Sequence, residues 1–262
     1  MTKKRRKTIP LTIPVCSANF MKMLGTVLLT VYFFAQSVIQ NGVLDMPNLT
    51  AQQLAELVEN DYDAFMFSGM ASVCFLIGAA AIPIFAFLLT EGIQKTSGVK
   101  RYILTVLAAA VLTEIPYDYA VSGKFFNWGD QNFLWTLLIS LIMLWLLKTF
   151  QGKGAAAVII DLMITAGGCV WAILFKSRFG AGFVLITAIL FLLREHKGVS
   201  IFLGVAVSLI YISAPLGFIP VALYSGERKN LDKKTSKYGY YVFCPVIALF
   251  FALTANLVVH SI

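Results

Sequence analysis

The residues best suited to chemistry are two carboxylates. Glu114 and Asp118 flank Pro116 in TEIPYDYAVSG. Four-residue spacing puts Glu114 and Asp118 on one helical face, where like charges repel. Either one of them is protonated, or a cation or hydrogen-bond donor sits between them. Pro116 removes a backbone hydrogen bond and leaves a carbonyl unpaired. Two readings stand for this stretch: a polar site at depth, or a helix end reaching the wet interface. Such groups could carry general acid–base work, taking a proton from an attacking amine or hydroxyl.

The elements that hold these residues are set by composition. Of 262 residues, 59% are hydrophobic and 13% are charged. A soluble domain carries about 25% charged residues. Mean hydropathy is +0.81. This predicts an all-α, polytopic bundle in a lipid bilayer, read as a single domain over 1–262 with a basic tail over 1–19. Candidate spans are 20–39, 65–89, 102–121, 133–147, 155–175, 179–193, 199–224 and 240–259, about eight in all. The second of the two shortest, 179–193, and the first, 133–147, fall below the length of a full span. Continuous apolar runs, without period-two alternation, argue against a β-barrel.

Charge sorting predicts orientation. Lys3, Lys4, Arg5, Arg6 and Lys7 form a basic tail, and Asp45, Glu56, Glu59, Asp61 and Asp63 lie in a stretch with no basic residue. Basic segments stay in the cytoplasm, so the N-terminus is expected inside and the acidic loop outside. The basic run reads as a retained anchor rather than a cleaved signal. Within the acidic loop, 49–59 has helical apolar spacing and is expected at the interface. One conflict follows. Eight spans put 225–239 outside, yet it holds Arg228, Lys229, Lys233, Lys234 and Lys237 against Glu227 and Asp232. A bend in 199–224 at Pro215 and Pro220, giving an odd number of crossings, would remove it. The net charge of +8 thus belongs to membrane topology, and no nucleic-acid partner is expected.

Other polar positions have two readings each. Asp161 is an interior contact or marks a late helix start, and Glu91 is a solvated helix end or a site. Cys16, Cys74, Cys169 and Cys244 read as small packing residues. Motifs of soluble enzymes are missing: no phosphate-binding loop, GxSxG, HExxH or CxxC occurs. With only His196 and His260, no histidine-rich metal site can be built.

Several stretches carry a resemblance: IPIFAFLLTEG, KRYILTVLAAAVLTEIPYDYAVSGKFF, DQNFLWTLLISLIMLWLL, LYSGER and KYGYYVFCP. In order and spacing they resemble the TraX family, polytopic inner-membrane proteins whose named member acetylates a pilin N-terminus in conjugation. The resemblance implies a bacterial cytoplasmic-membrane acyltransferase using acetyl-CoA or another acyl-CoA as donor, with no bound cofactor. The acceptor would be a pilin-like peptide or an envelope component. It implies functional positions at Glu91, Glu114, Asp118, Gln131, Asn132, Glu227 and Arg228. Glu114, Asp118 and Asp130 are the candidate catalytic carboxylates, and Gln131 and Asn132 would orient the substrate. Arg101 and Arg228 could meet donor phosphates.

The departures are specific. Phe33–Phe34 stand where the family has Asp-His, and Asp130 where it has His. Pro245–Val246–Ile247 replace Pro-x-His, and Arg178–Phe179–Gly180 replace Asp-Tyr-Gly. The histidines suited to general-base work are therefore absent. Two rival functions remain: a non-catalytic descendant that binds a partner in the membrane, and a small transporter with broken helices.

Overall fold

The computed structural model describes residues 16–152, 154–224 and 235–259. The first helix, α1 (Ala18–Phe34), starts where the Ser17 side chain accepts from the Phe20 N–H at 3.3 Å. It runs unbroken into a π-helical segment, Ala35–Val43. Next, α2 (Ala51–Asn60) opens with a reciprocal capping box between Thr50 and Gln53 and buries no residue. This is the amphipathic piece expected near 49–59.

Asp61 caps α3 (Tyr62–Ala79), and α4 (Ala81–Lys95) follows after a single offset at Ala80. Pro83, which has no N–H to donate back, explains the offset. Then come α5 (Val99–Ser122), ended by Gly123 in the left-handed region, and α6 (Phe133–Thr149), capped by Asn132. α7 (Ala155–Leu174) and α8 (Gly180–Leu192) complete the middle of the chain. α7 packs on α6 and α8 and shows most of its apolar side chains to the outside. Such a face is stable only against lipid.

Four helical segments are long and apolar enough to cross a membrane: Ala18–Val43, Tyr62–Lys95, Val99–Ser122 and Ala155–Leu174. Phe133–Thr149, Gly180–Leu192, Lys197–Tyr211 and Val242–Val258 are shorter apolar helices. The all-α architecture stands. Among the described residues four spans are full-length, and the expected count of about eight is not confirmed.

The segment expected as a seventh span, 199–224, is a hairpin. α9 (Lys197–Ser208) tightens into a short 3₁₀ turn at Leu209–Tyr211. The chain then reverses at Ile212, a β-branched residue held at φ 58°, ψ −70°. It returns through Ala214–Gly217 and α10 (Phe218–Ala222). The Lys197 ammonium donates to the Ala222 carbonyl at 3.0 Å, so both arms finish at one end. That end also holds the chain before α1, because the Cys16 N–H donates to the Leu223 carbonyl at 2.9 Å. Lys95, Lys148 and Arg194 close other helices there. We call it the basic end. A β-carbon at Gly217 would lie 2.0 Å from the Ala80 carbonyl oxygen, so only glycine lets the returning arm seat on α4. The last helix, α11 (Thr235–Val259), packs on α5 and on the π-helical segment.

Candidate functional site

At the other, acidic end, two loops are laid edge to edge. The Gln131 N–H donates to the Lys176 carbonyl at 3.1 Å, and the Arg178 N–H donates to the Gln131 carbonyl at 3.0 Å. The Thr136 hydroxyl also donates to the Arg178 carbonyl. This pairing fixes Asp130 opposite Arg178. Lys176 and Phe179 hold positive φ, at 48° and 63°, to make the turn. Non-glycine residues there cost of order 1–3 kcal/mol each and persist only where surroundings impose them.

Asp130 Oδ2 is the focus of one cluster. It accepts from Arg178 Nη1 at 2.7 Å, from Gln36 Nε2 at 2.9 Å and from the Tyr117 hydroxyl at 3.1 Å. Arg178 Nη2 donates to the Tyr32 hydroxyl at 2.9 Å, with the guanidinium 5.1 Å from the Tyr32 ring centre. Gln36 reaches this point from the π-helical segment, where Asn41 donates to the Ala120 carbonyl at 2.9 Å and Ser37 to the Phe251 carbonyl at 3.2 Å. Four separate stretches of chain thus meet at one carboxylate oxygen.

A second cluster lies beside it. Glu114 Oε2 accepts from the Trp135 indole at 2.7 Å and from the Asn132 amide. That amide also donates to the Ala110 carbonyl at 2.9 Å, while its oxygen accepts from the Leu134 N–H at 2.9 Å. Glu114 Oε1 is buried without a partner. Asp118 is 2% exposed. Its Oδ2 accepts from the Asn127 N–H at 2.9 Å, and its Oδ1 has no partner. Gln131 Nε2 donates to the Asn127 carbonyl at 2.9 Å and so ties the loop together.

Between the clusters and the middle of the bundle lies a cavity of about 120 Å³. Gln36, Tyr117, Asn132 and Arg178 border it on the polar side. Its remaining wall is mainly apolar and includes Leu29, Phe85, Leu137 and Ile247. Asp130 and Glu114 do not line it; the three donors to Asp130 do, and so does Asn132, bonded to Glu114.

Among the sequence candidates, Glu114, Asp118, Asp130, Gln131 and Asn132 gather in this region. Glu91 is elsewhere, at the basic end, paired with Lys95 and accepting from the Tyr224 hydroxyl at 3.2 Å. Arg101 is exposed at that same end. Glu227 and Arg228 lie outside the described residues. Asp161 sits inside α7, which begins at Ala155, so the helix does not start late. No group of three metal-ligating side chains occurs among the described residues. None of the four cysteines forms a disulfide.

Sequence reasoning did not single out Tyr32 or Gln36, and named Arg178 only as a departure. The signal for Gln36 was present: an amide inside an apolar run is costly without partners.

A family model described as TraX protein matches residues 53–254. Tyr117, Asp130 and Arg178 fall inside that match, whereas Tyr32 and Gln36 precede it. No curated protein and no solved structure matches the chain. With 53–254 covering more than half of the sequence, the chain belongs to the TraX family, as a membrane protein of all-α architecture.

Proposed function

We propose that the protein is a membrane acyltransferase that moves an acetyl or similar group from an acyl-CoA to an acceptor at the acidic end. The acceptor is a pilin-like peptide terminus or an envelope component. One observation carries this reading. The positions where the chain departs from the family pattern converge on one cavity: Phe33, Arg178 and Ile247 line it, and Asp130 is bonded to Arg178. A site that is remodelled at several distant positions together is a site in use.

The chemistry follows from which oxygens remain available. An acceptor amine or hydroxyl attacks the thioester carbonyl, a C–N or C–O bond forms, and the C–S bond breaks. The acceptor proton must go to a base, and CoA leaves as the thiol. Asp130 Oδ2 already receives three donors and is a poor base. Glu114 is better placed, with Oε2 fixed by Trp135 and Asn132 and Oε1 unpartnered. Arg178, with N–H groups beyond those given to Asp130 and Tyr32, supplies donors toward charge developing on the carbonyl oxygen.

The topology that goes with this has the basic end in the cytoplasm, by the excess of Lys and Arg there. The 197–224 hairpin returns to that end, so on this reading the shorter apolar helices cross as well and the chain crosses seven times.

The test is acyl-CoA turnover by the purified protein. Glu114→Gln should lower the rate by about 10²–10⁴-fold, the usual worth of a general base. An unchanged rate removes Glu114 from the site. A wild-type protein that neither transfers nor binds the donor ends the enzyme reading. The saturation of Asp130 favours one alternative, a member that keeps the fold and binds a membrane partner. That alternative predicts donor-independent partner capture, which Arg178→Gln weakens.

A further inference from the structure

We infer that the cavity holds a short part of the hydrocarbon chain of a membrane phospholipid, a few methylenes long, drawn from the leaflet at the acidic end. The inference rests on reading this cavity as the working site.

Three observations lead there. First, apart from Arg178 the polar side chains in the wall are largely engaged. Thr30 donates to the Thr26 carbonyl at 2.8 Å, Thr113 to the Ala109 carbonyl at 2.7 Å, and the Asn132 amide gives both its N–H groups, to Ala110 and Glu114. The rest of the wall is aliphatic and aromatic side chains. A peptide or nucleotide lying in it would leave its own polar groups unpaired, at about 1–3 kcal/mol each. A polymethylene chain loses nothing there and gains by burial.

Second, the cavity reaches the outside of the bundle at one wall residue. Phe243 of α11 lines the cavity while 37% exposed. Val242 and Val246 on the same helix are exposed at 60% and 59%. An outward apolar face on a membrane helix meets acyl chains, not water.

Third, polarity runs in the direction of a lipid in that leaflet. Arg178 is at the acidic end of the cavity, with only two of its five N–H groups accounted for by Asp130 and Tyr32. Thr26 marks the other end, six residues below Tyr32 along α1, or about 9 Å deeper. An ester or phosphate oxygen at Arg178 leaves the chain pointing to the middle of the bilayer.

Two photoreactive probes test this in the detergent-solubilised full chain: a phospholipid with a diazirine in its acyl chain, and an acyl-CoA with the same group. The phospholipid should label the stretch around Phe243–Ala248 and the Thr26–Phe33 face of α1. Leu29→Trp, which fills the cavity, should cut that labelling by about tenfold, as a modest binding loss would. Leu112→Trp, on the lipid-facing side of α5 at 67% exposure, should not. A second filling variant, Ala248→Phe, serves if Leu29→Trp fails to fold. Labelling spread over outward residues of α7 with none at the cavity overturns the inference. Stronger cavity labelling by the acyl-CoA assigns the space to the donor and overturns it too. The readout needs no turnover. Lipid in the cavity without transfer ends only the acyltransferase reading, and transfer without cavity labelling ends only this one.

Discussion

Two clusters in this protein are built from the same three kinds of side chain. At the acidic end Asp130, Arg178 and Tyr117 meet; at the basic end Glu91, Lys95 and Tyr224 do. Their construction differs. Glu91 and Lys95 are four apart on one helix, a pair any solvated helix forms. Asp130 and Arg178 are brought together across the fold by two paired loops, and Gln36 joins from a third element. The basic-end cluster looks into the interface, whereas the acidic-end cluster borders a cavity inside the bundle. A carboxylate, a cation and a tyrosine are therefore no signature of a site by themselves. The number of separate stretches of chain that meet, four at Asp130 against two at Glu91, is the better sign.

That contrast can be broken by mutation. Arg178→Met, which strands Asp130, should cost about 1.5–3 kcal/mol of stability, the usual worth of hydrogen bonds to a charged group, because the two side chains are still 24% and 23% exposed. It should show as a large drop in the melting temperature of the detergent-solubilised protein. Adding Asp130→Asn to it should restore part of the loss, since no charge is then left alone. Failure of the second change to restore anything would mean that the two residues are not energetically coupled.

Asn132→Ala removes a helix cap and a Glu114 ligand together. It should cost about 1–2 kcal/mol. If the site reading is right, turnover should fall further than Glu114→Gln alone explains.

Glu91→Gln should be worth no more than about 0.5 kcal/mol, because an exposed pair on one helix gains little over water. A loss equal to that of Arg178→Met would erase the distinction between the two clusters. The smallest effect is that of salt. Raising it should weaken the Glu91–Lys95 contribution and leave Asp130–Arg178 nearly unchanged, as screening reaches exposed charges first. Melting curves of the two variants at low and high salt would show it.

Much of this was legible in the sequence, for physical reasons. Apolar content demanded helices in a bilayer, and α1, α5 and α7 fall close to the expected runs because length and hydropathy alone decide a span. Glu114 and Asp118 were readable as a polar site from their spacing around Pro116, whereas Gln131 and Asn132 joined them only through the resemblance to the family. The hairpin was only half readable. Pro215 and Pro220 announced a bend, but the reversal is made at Ile212, and a β-branched residue gives no hint of positive φ. The Arg178 pairing was not readable. It depends on two loops meeting at Gln131 and Ser177, a contact between positions with no local signal.

The π-helical stretch has one more consequence. Gln36 and Asn41 are five residues apart, and both reach α5, one at Tyr117 and the other at the Ala120 carbonyl. On a regular α-helix two such residues would point about 140° apart. The extra residue per turn brings them into phase. A chain shortened by one residue between them would lose only about 1.5 Å of length. It would nonetheless turn one of the two amides away from α5, so this helix is matched to its neighbours by angle rather than by reach.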